Sequence, residues 1–226
     1  MVKSWTEVWD FRTKLYSFLA NCLLEWIKEE DKDILTSQFW VDFPLVADNP
    51  QLEAGLDQLM SCTSQLEKLS TEEALEEVAV EFTDLFIGTA RPKAPPIESF
   101  YFSFKRTIFN EKTIEMKKIL NEHGLESMMK DKFPEDHLGL QLLLIAVQTE
   151  EFPTLDEDEK RAAIEKQISF IDEHLLSWIP GVCNDAKEHG QTGFYGGLLE
   201  LIWGTLLWDK ELLKEGAGSP KYVPSS

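Results

Sequence analysis

The chain has 226 residues, enough for a well-developed core, and 43% of them are hydrophobic and 11% aromatic, which excludes a disordered polypeptide. It carries 22 basic and 41 acidic side chains, a net charge of −19, so a nucleic acid is excluded as a partner and an anionic membrane is disfavoured. A basic segment of another protein would be attracted instead.

The pattern of apolar residues is helical along nearly the whole length. Ser4 and Glu7 form a capping-box pair, and Trp5, Val8, Trp9, Leu15, Phe18, Leu19, Cys22, Leu23, Trp26 and Ile27 recur at three and four. Charges at Lys3, Glu7, Asp10 and Arg12 leave no apolar centre for a signal peptide. Asn49-Pro50 opens a second helix with the stripe Leu52, Leu56, Leu59, Met60, Leu66 and Leu69. Ser70 and Glu73 cap a third, through Leu75, Val78, Phe82, Leu85 and Phe86, which Gly88 ends.

A stiff loop with Pro92, Pro95 and Pro96 follows, and it feeds Glu98 and the aromatics Phe100, Tyr101, Phe102 and Phe104 into a short helix over 99–106. The aromatic content there leaves a strand as the alternative. Two readings of this stretch stay open: a shaped surface, or a rigid connection whose aromatics are core. Helices are then expected over 112–123, stopped by Gly124; over 135–149, opened by Pro134; over 156–176, broken by Pro180-Gly181; over 182–189; and over 194–213. The apolar run 138–147 is too short to span a bilayer. The residues 216–226 show no periodicity. The expected fold is all-α, a single-domain bundle of about nine to eleven helices over 1–214, with a flexible tail over 215–226.

Cys22, Cys62 and Cys183 are odd in number and widely spaced, which argues against a disulfide framework and fits a reducing, intracellular compartment. His123, His137, His174 and His189 have no metal-ligand spacing, so neither a metal nor another cofactor is expected. The seven tryptophans are mostly expected in the core, and one or two at a groove edge would suit peptide binding, though the sequence does not pick which. Asp136 and His137 at a helix start are the strongest polar candidates. The helix dipole accounts for Glu135 and Asp136 without any function, and His137 can equally be a hydrogen-bonded core histidine. With Glu98 and Ser99 they can be written as an acid–base set, but no nucleophile elbow or phosphate loop accompanies them.

Two motifs in order resemble those of the TorD/DmsD/NarJ-like family of cytoplasmic chaperones for molybdoenzyme maturation. The first is Leu85-Phe86-Ile87-Gly88, then Pro95-Pro96, then Glu98-Ser99-Phe100-Tyr101. The second is Pro134-Glu135-Asp136-His137, with Phe133 where the family has Glu. The likeness covers roughly residues 5 to 210. It implies a non-catalytic cytoplasmic chaperone. Its partners would be the catalytic subunit of a molybdopterin-dependent oxidoreductase and that subunit's N-terminal twin-arginine leader, bound during cofactor insertion and before export. It also implies a peptide-binding surface made by Pro95, Pro96, Glu98, Ser99, Tyr101, Pro134, Glu135, Asp136 and His137, in which Glu98, Glu135 and Asp136 face the leader's arginines. The alternatives are a client without a leader and, outside the class, a helical small-molecule enzyme using His137 and Asp136. Neither the client nor the oligomeric state is readable from the sequence, although long helices with short hinges permit domain-swapped dimers.

Overall fold

The computed structural model describes residues 4–88, 91–125 and 132–218. Among them the chain is all-helical, with ten α-helices and no β-strand. In chain order these are α1 (Trp5–Leu24), α2 (Ser37–Val41), α3 (Pro50–Leu66), α4 (Thr71–Phe82), α5 (Glu98–Phe102), α6 (Glu111–Glu122), α7 (Leu138–Glu151), α8 (Glu157–Ile171), α9 (Ile179–His189) and α10 (Phe194–Gly218). A 3-10 segment, Glu29–Leu35, precedes α2, and π-helical turns, Thr83–Ile87 and Asp172–Leu176, extend α4 and α8.

The local signals act as the sequence suggests. Ser70 Oγ accepts from the Glu73 amide at 3.3 Å while the Glu73 carboxylate accepts from the Ser70 amide at 2.9 Å. Asn49 accepts from the Leu52 amide at 2.9 Å, and Pro50 occupies a first-turn position that needs no N–H. Gly88 ends the π turn with φ +63° and donates to the Thr83 carbonyl at 2.6 Å. A Cβ on Gly88 would lie 2.4 Å from the Arg91 carbonyl carbon, so only glycine fits this turn.

Other boundaries differ. The first helix ends at Leu24, not Ile27, and the segment from 29 to 41, which has no clear periodicity, is helical because Ile34, Leu35 and Trp40 are buried there. The helix expected from Glu135 begins three residues later, because His137 is its N-cap. Pro180 does not break a helix: it sits in the first turn of α9, where its missing N–H costs nothing. The helix expected over 99–106 runs from Glu98 to Phe102 only. Trp26 is exposed rather than core. The last helix continues to Gly218, and residues 219–226 of the expected tail lie outside the described residues.

The chain forms two compact units, each assembled from segments distant in sequence. The first comprises residues 1–24, 97–177 and 209–226. Within it α1 packs on α7, burying Leu15, Tyr16, Leu19 and Leu23 with Leu138, Leu142 and Ile145. A wholly buried polar knot crosses this core. Arg12 donates to Asp209 through Nε (2.6 Å) and Nη2 (2.8 Å), to Thr149 (2.9 Å) and to Gln167 (2.6 Å), while Tyr16 donates to Asp209 at 2.7 Å. Burial, and then the Asp209 charge, push the Tyr16 hydroxyl well above its ordinary range, so it stays a donor.

The second unit comprises residues 25–96 and 178–208. Trp40 is buried and donates to the Ile34 carbonyl at 2.8 Å, and Phe82, Phe86 and Tyr195 form an aromatic cluster. Here α3 lies against the 194–208 part of α10 at backbone contact. A Cβ on Gly204 would meet the Leu52 amide nitrogen at 2.3 Å, and one on Gly55 would meet the Leu201 nitrogen at 2.4 Å. Main-chain atoms cannot move aside as a side chain can. Gly204→Ala is therefore expected to cost about 1–3 kcal/mol, the range for overpacked cores. Urea melts of the variant check this; an unchanged midpoint would mean that α3 and α10 tolerate separation.

Candidate functional site

The Glu98–Tyr101 part of the first motif and the second motif meet in the first unit. An isolated antiparallel bridge pairs Ile97 with His137, and the Glu98 amide donates to the Asp136 carbonyl at 3.0 Å. Helix α5 has five residues, and its N-cap position, Ile97, offers no side-chain acceptor. Its free amides need one from elsewhere. Asp136 supplies it: Oδ2 accepts from the Ser99 amide at 2.6 Å, a negative group placed on the positive end of the helix.

His137 performs the same task for α7, where Nδ1 accepts from the Gly139 amide at 3.1 Å. That nitrogen must therefore be unprotonated. Burial pushes the imidazole down to about 3, and the Phe133 ring covers it at a centroid distance of 4.6 Å. The phenylalanine that departs from the family motif thus serves as an apolar lid on a neutral histidine.

Glu98 is 0% exposed and held from three sides. Gln141 Nε2 donates to it at 2.7 Å, His174 Nδ1 lies 3.2 Å from both carboxylate oxygens, and Lys112 Nζ is 3.3 Å away. Asn110 donates to the Ser99 carbonyl at 2.9 Å and also caps α6 by accepting from the Lys112 amide at 3.0 Å. Four buried polar atoms around this cluster, Ser99 Oγ, Thr113 Oγ1, Asp136 Oδ1 and Gln141 Oε1, have no hydrogen-bond partner among the described residues. Buried polar atoms are rarely left so, and here they concentrate at the junction of the two motifs.

Of the residues singled out from sequence, Glu98, Ser99, Asp136 and His137 are buried together. Tyr101, Pro134 and Glu135 are half-buried beside them in sequence, with Glu135 3.4 Å from Lys117. Pro95 and Pro96 are buried and close the 25–96 segment of the second unit. One expectation is corrected: Glu98 and Asp136 do not face solvent, because both are buried, Glu98 against Gln141, His174 and Lys112 and Asp136 through Oδ2 on the Ser99 amide, and only Glu135 of the three acids reaches the surface. Gln141, His174, Lys112 and Asn110 were not foreseen. His174 stands 76 positions from Glu98, and no local pattern marks such a pair.

A short helix and a long one joined through buried side chains make a rigid scaffold inside an all-α protein. The model for the nitrate reductase delta subunit family matches residues 48–184, and the chain belongs to that family, the TorD/NarJ-like chaperones of molybdoenzyme maturation. It is a chaperone and not an enzyme. The chain is 28% identical over 206 residues to chaperone protein TorD of Vibrio vulnificus (strain CMCP6), covering 89% of this chain and 94% of that protein. It is 25% identical over 206 residues to chaperone protein TorD of Vibrio cholerae serotype O1 (strain ATCC 39315 / El Tor Inaba N16961), covering 90% and 92%. The chaperone protein TorD of Photobacterium profundum is 23% identical over 197 residues, covering 84% and 88%.

Proposed function

We propose that this chaperone acts in the cytoplasm on the catalytic subunit of a molybdopterin-dependent oxidoreductase. It holds that subunit during cofactor insertion and binds its N-terminal twin-arginine leader before export. The leader would dock on the first unit, at the edge of Tyr101, Pro134 and Glu135 that the buried Glu98, Ser99, Asp136 and His137 support. The observation that carries this reading is the bridge between Ile97 and His137, with unused hydrogen-bonding capacity gathered on both sides of it. The net charge of −19 supports a basic ligand, since a long-range field of opposite sign speeds encounter. Among the described residues no helix is long and apolar enough to cross a membrane.

The buried and half-exposed residues divide the work. Asp136 and His137 fix the backbone on which the edge is built. Tyr101, Pro134 and Glu135 make that edge. Such a preorganised edge loses little freedom on binding. Glu135 is the acid that a guanidinium could reach, sharing it with Lys117 at 3.4 Å, and a charge-assisted contact of that kind contributes about 1.5–3 kcal/mol.

Tyr101→Ala and Glu135→Gln are therefore expected to weaken a synthetic twin-arginine leader peptide by about tenfold each, with the melting temperature unchanged. Calorimetric titration with parallel thermal melts measures both. Asp136→Ala with His137→Ala should lower the affinity and the melting temperature together, because both side chains cap helices. If the two surface variants bind the leader as tightly as the wild type, the site is wrong. If wild type and a leader with both arginines replaced give equal heats, leader recognition itself fails.

A further inference from the structure

The half-buried edge of Tyr101, Pro134 and Glu135 is not bare. The two groups on it that can bind a cation each hold one supplied by the chain itself. The Arg106 guanidinium lies over the Tyr101 ring at 5.8 Å, and over the Phe100 ring at 5.4 Å. Lys117 Nζ stands 3.4 Å from Glu135 Oε1. An aromatic face and a carboxylate are the two kinds of surface that bind a guanidinium well. Both adjoin one joint of the first unit: Tyr101 comes two residues after Ser99 and Glu135 one residue before Asp136, and the Ser99 amide donates to Asp136 Oδ2.

Neither cation is fixed there by burial. Arg106 is exposed, and the side chains of Lys117 and Glu135 are 46% and 26% exposed. Contacts so open to water are weak, so a competing cation can replace them. Glu98 differs: it is wholly buried against Lys112, Gln141 and His174, and that pairing belongs to the core. The backbone at Arg106 is also unusual. It is left-handed, with φ +50°, and its amide donates to the Ser103 carbonyl at 2.8 Å. Glycine or asparagine takes that conformation with less strain than arginine. A strained backbone thus holds an exposed guanidinium over Tyr101.

We propose that Arg106 and Lys117 are placeholders for the two arginines of the leader. One arginine stacks on Tyr101 in place of Arg106, and the other reaches Glu135 in competition with Lys117. This rests on the leader reading above and assigns its arginines to two separate subsites. The subsites differ in what they accept. A planar guanidinium stacks on a ring, whereas a compact, strongly hydrated ammonium does so less well. Glu135 already accepts an ammonium, so lysine serves there. A single stray cation gains little at either place, while two linked ones win, because the second contact is then made at high effective concentration.

The test titrates the full-length protein calorimetrically with a synthetic leader peptide carrying Arg-Arg, and with peptides carrying Arg-Lys, Lys-Arg or Ala-Ala in its place. Lys117→Gln and Arg106→Asn should each tighten the Arg-Arg peptide about two- to fivefold, the factor by which an exposed contact competes. Asparagine adopts left-handed backbone, so the turn is kept. Each substitution removes a positive charge. Lys118→Gln and Lys105→Gln remove one at the neighbouring position and should not tighten the peptide. Of the two single-lysine peptides, one should bind wild type as Arg-Arg does and the other about threefold or more weaker, and Tyr101→Leu should erase that difference. The proposal is overturned if Lys117→Gln and Arg106→Asn leave the affinity unchanged or lower it, as purely structural tethers would. It is equally overturned if the neighbouring substitutions tighten the peptide as much, or if wild type binds the two single-lysine peptides alike. Wild type that does not distinguish Arg-Arg from Ala-Ala refutes the leader reading and this assignment with it; discrimination without tightening refutes the placeholders alone.

Discussion

Asp209→Ala is expected to lower the unfolding free energy by about 3–5 kcal/mol, the cost of leaving a buried charge without its partner. The Arg12 guanidinium and the Asp209 carboxylate are both 0% exposed, and their contact is bidentate. Removing the carboxylate strands that guanidinium, whose Nε then has no acceptor, and leaves the Tyr16 hydroxyl without its acceptor. For a chain of this length the corresponding fall in melting temperature is about 10 °C. The loss comes from the uncompensated charge more than from the pair's intrinsic worth, since two charges taken out of water begin with a large desolvation cost. Arg12→Met combined with Asp209→Leu should therefore be less destabilised than Asp209→Ala alone. Chemical denaturation of the three proteins measures the series. A loss under about 1 kcal/mol for Asp209→Ala would place the pair among surface-like salt bridges and refute its structural role.

The second large effect is in the acid response. His137 is neutral in the folded protein because burial pushes its imidazole down to about 3, and Nδ1 is occupied by the Gly139 amide. In the unfolded chain the same group takes up a proton near pH 6.5. Above pH 6.5 both states are neutral and the stability is complete. As pH falls below 6.5 the unfolded state binds a proton that the folded state refuses, and stability drops by about 1.4 kcal/mol per pH unit until about pH 3. His137→Asn keeps an N-cap acceptor and removes the titration. Its stability curve should be flatter than that of wild type by about that slope between pH 6 and pH 4.5, with the carboxylates contributing equally to both proteins. Urea midpoints across this range check it, and parallel curves for the two proteins would mean that His137 protonates in the folded state.

Helix existence was legible from apolar spacing and capping residues, because those signals act within a few positions. Ser70 with Glu73, Asn49 with Pro50, and Gly88 all do in the fold what their chemistry suggests. The segment from 29 to 41 was not legible, since Ile34 and Trp40 are helical through tertiary burial rather than through periodicity. The start of α7 was misplaced by three residues because Pro134 mimics a first-turn proline. The true cap is a histidine, whose capping role shows only when Nδ1 is seen to accept from Gly139.

The candidate site divides in the same way. The residues Glu98, Ser99, Asp136 and His137 were identifiable as a group from the motifs. Their orientation was not, because a carboxylate at the surface and one buried on a helix N-terminus have the same sequence.

By itself, then, the amino-acid sequence determined an all-helical acidic chain and the capping of its main helices, which rest on composition or on neighbours within a few residues, while its two motifs carried the resemblance to a chaperone family. Only the tertiary structure decided that Asp136 caps a five-residue helix that has no cap of its own, that Glu98 is shared by Gln141, His174 and Lys112, and that Arg12 finds Asp209 across 197 positions. Those pairings depend on which buried polar groups the folded core leaves facing each other. A buried charge must take whatever partner the packing brings within reach, and that choice has no signature short of the fold.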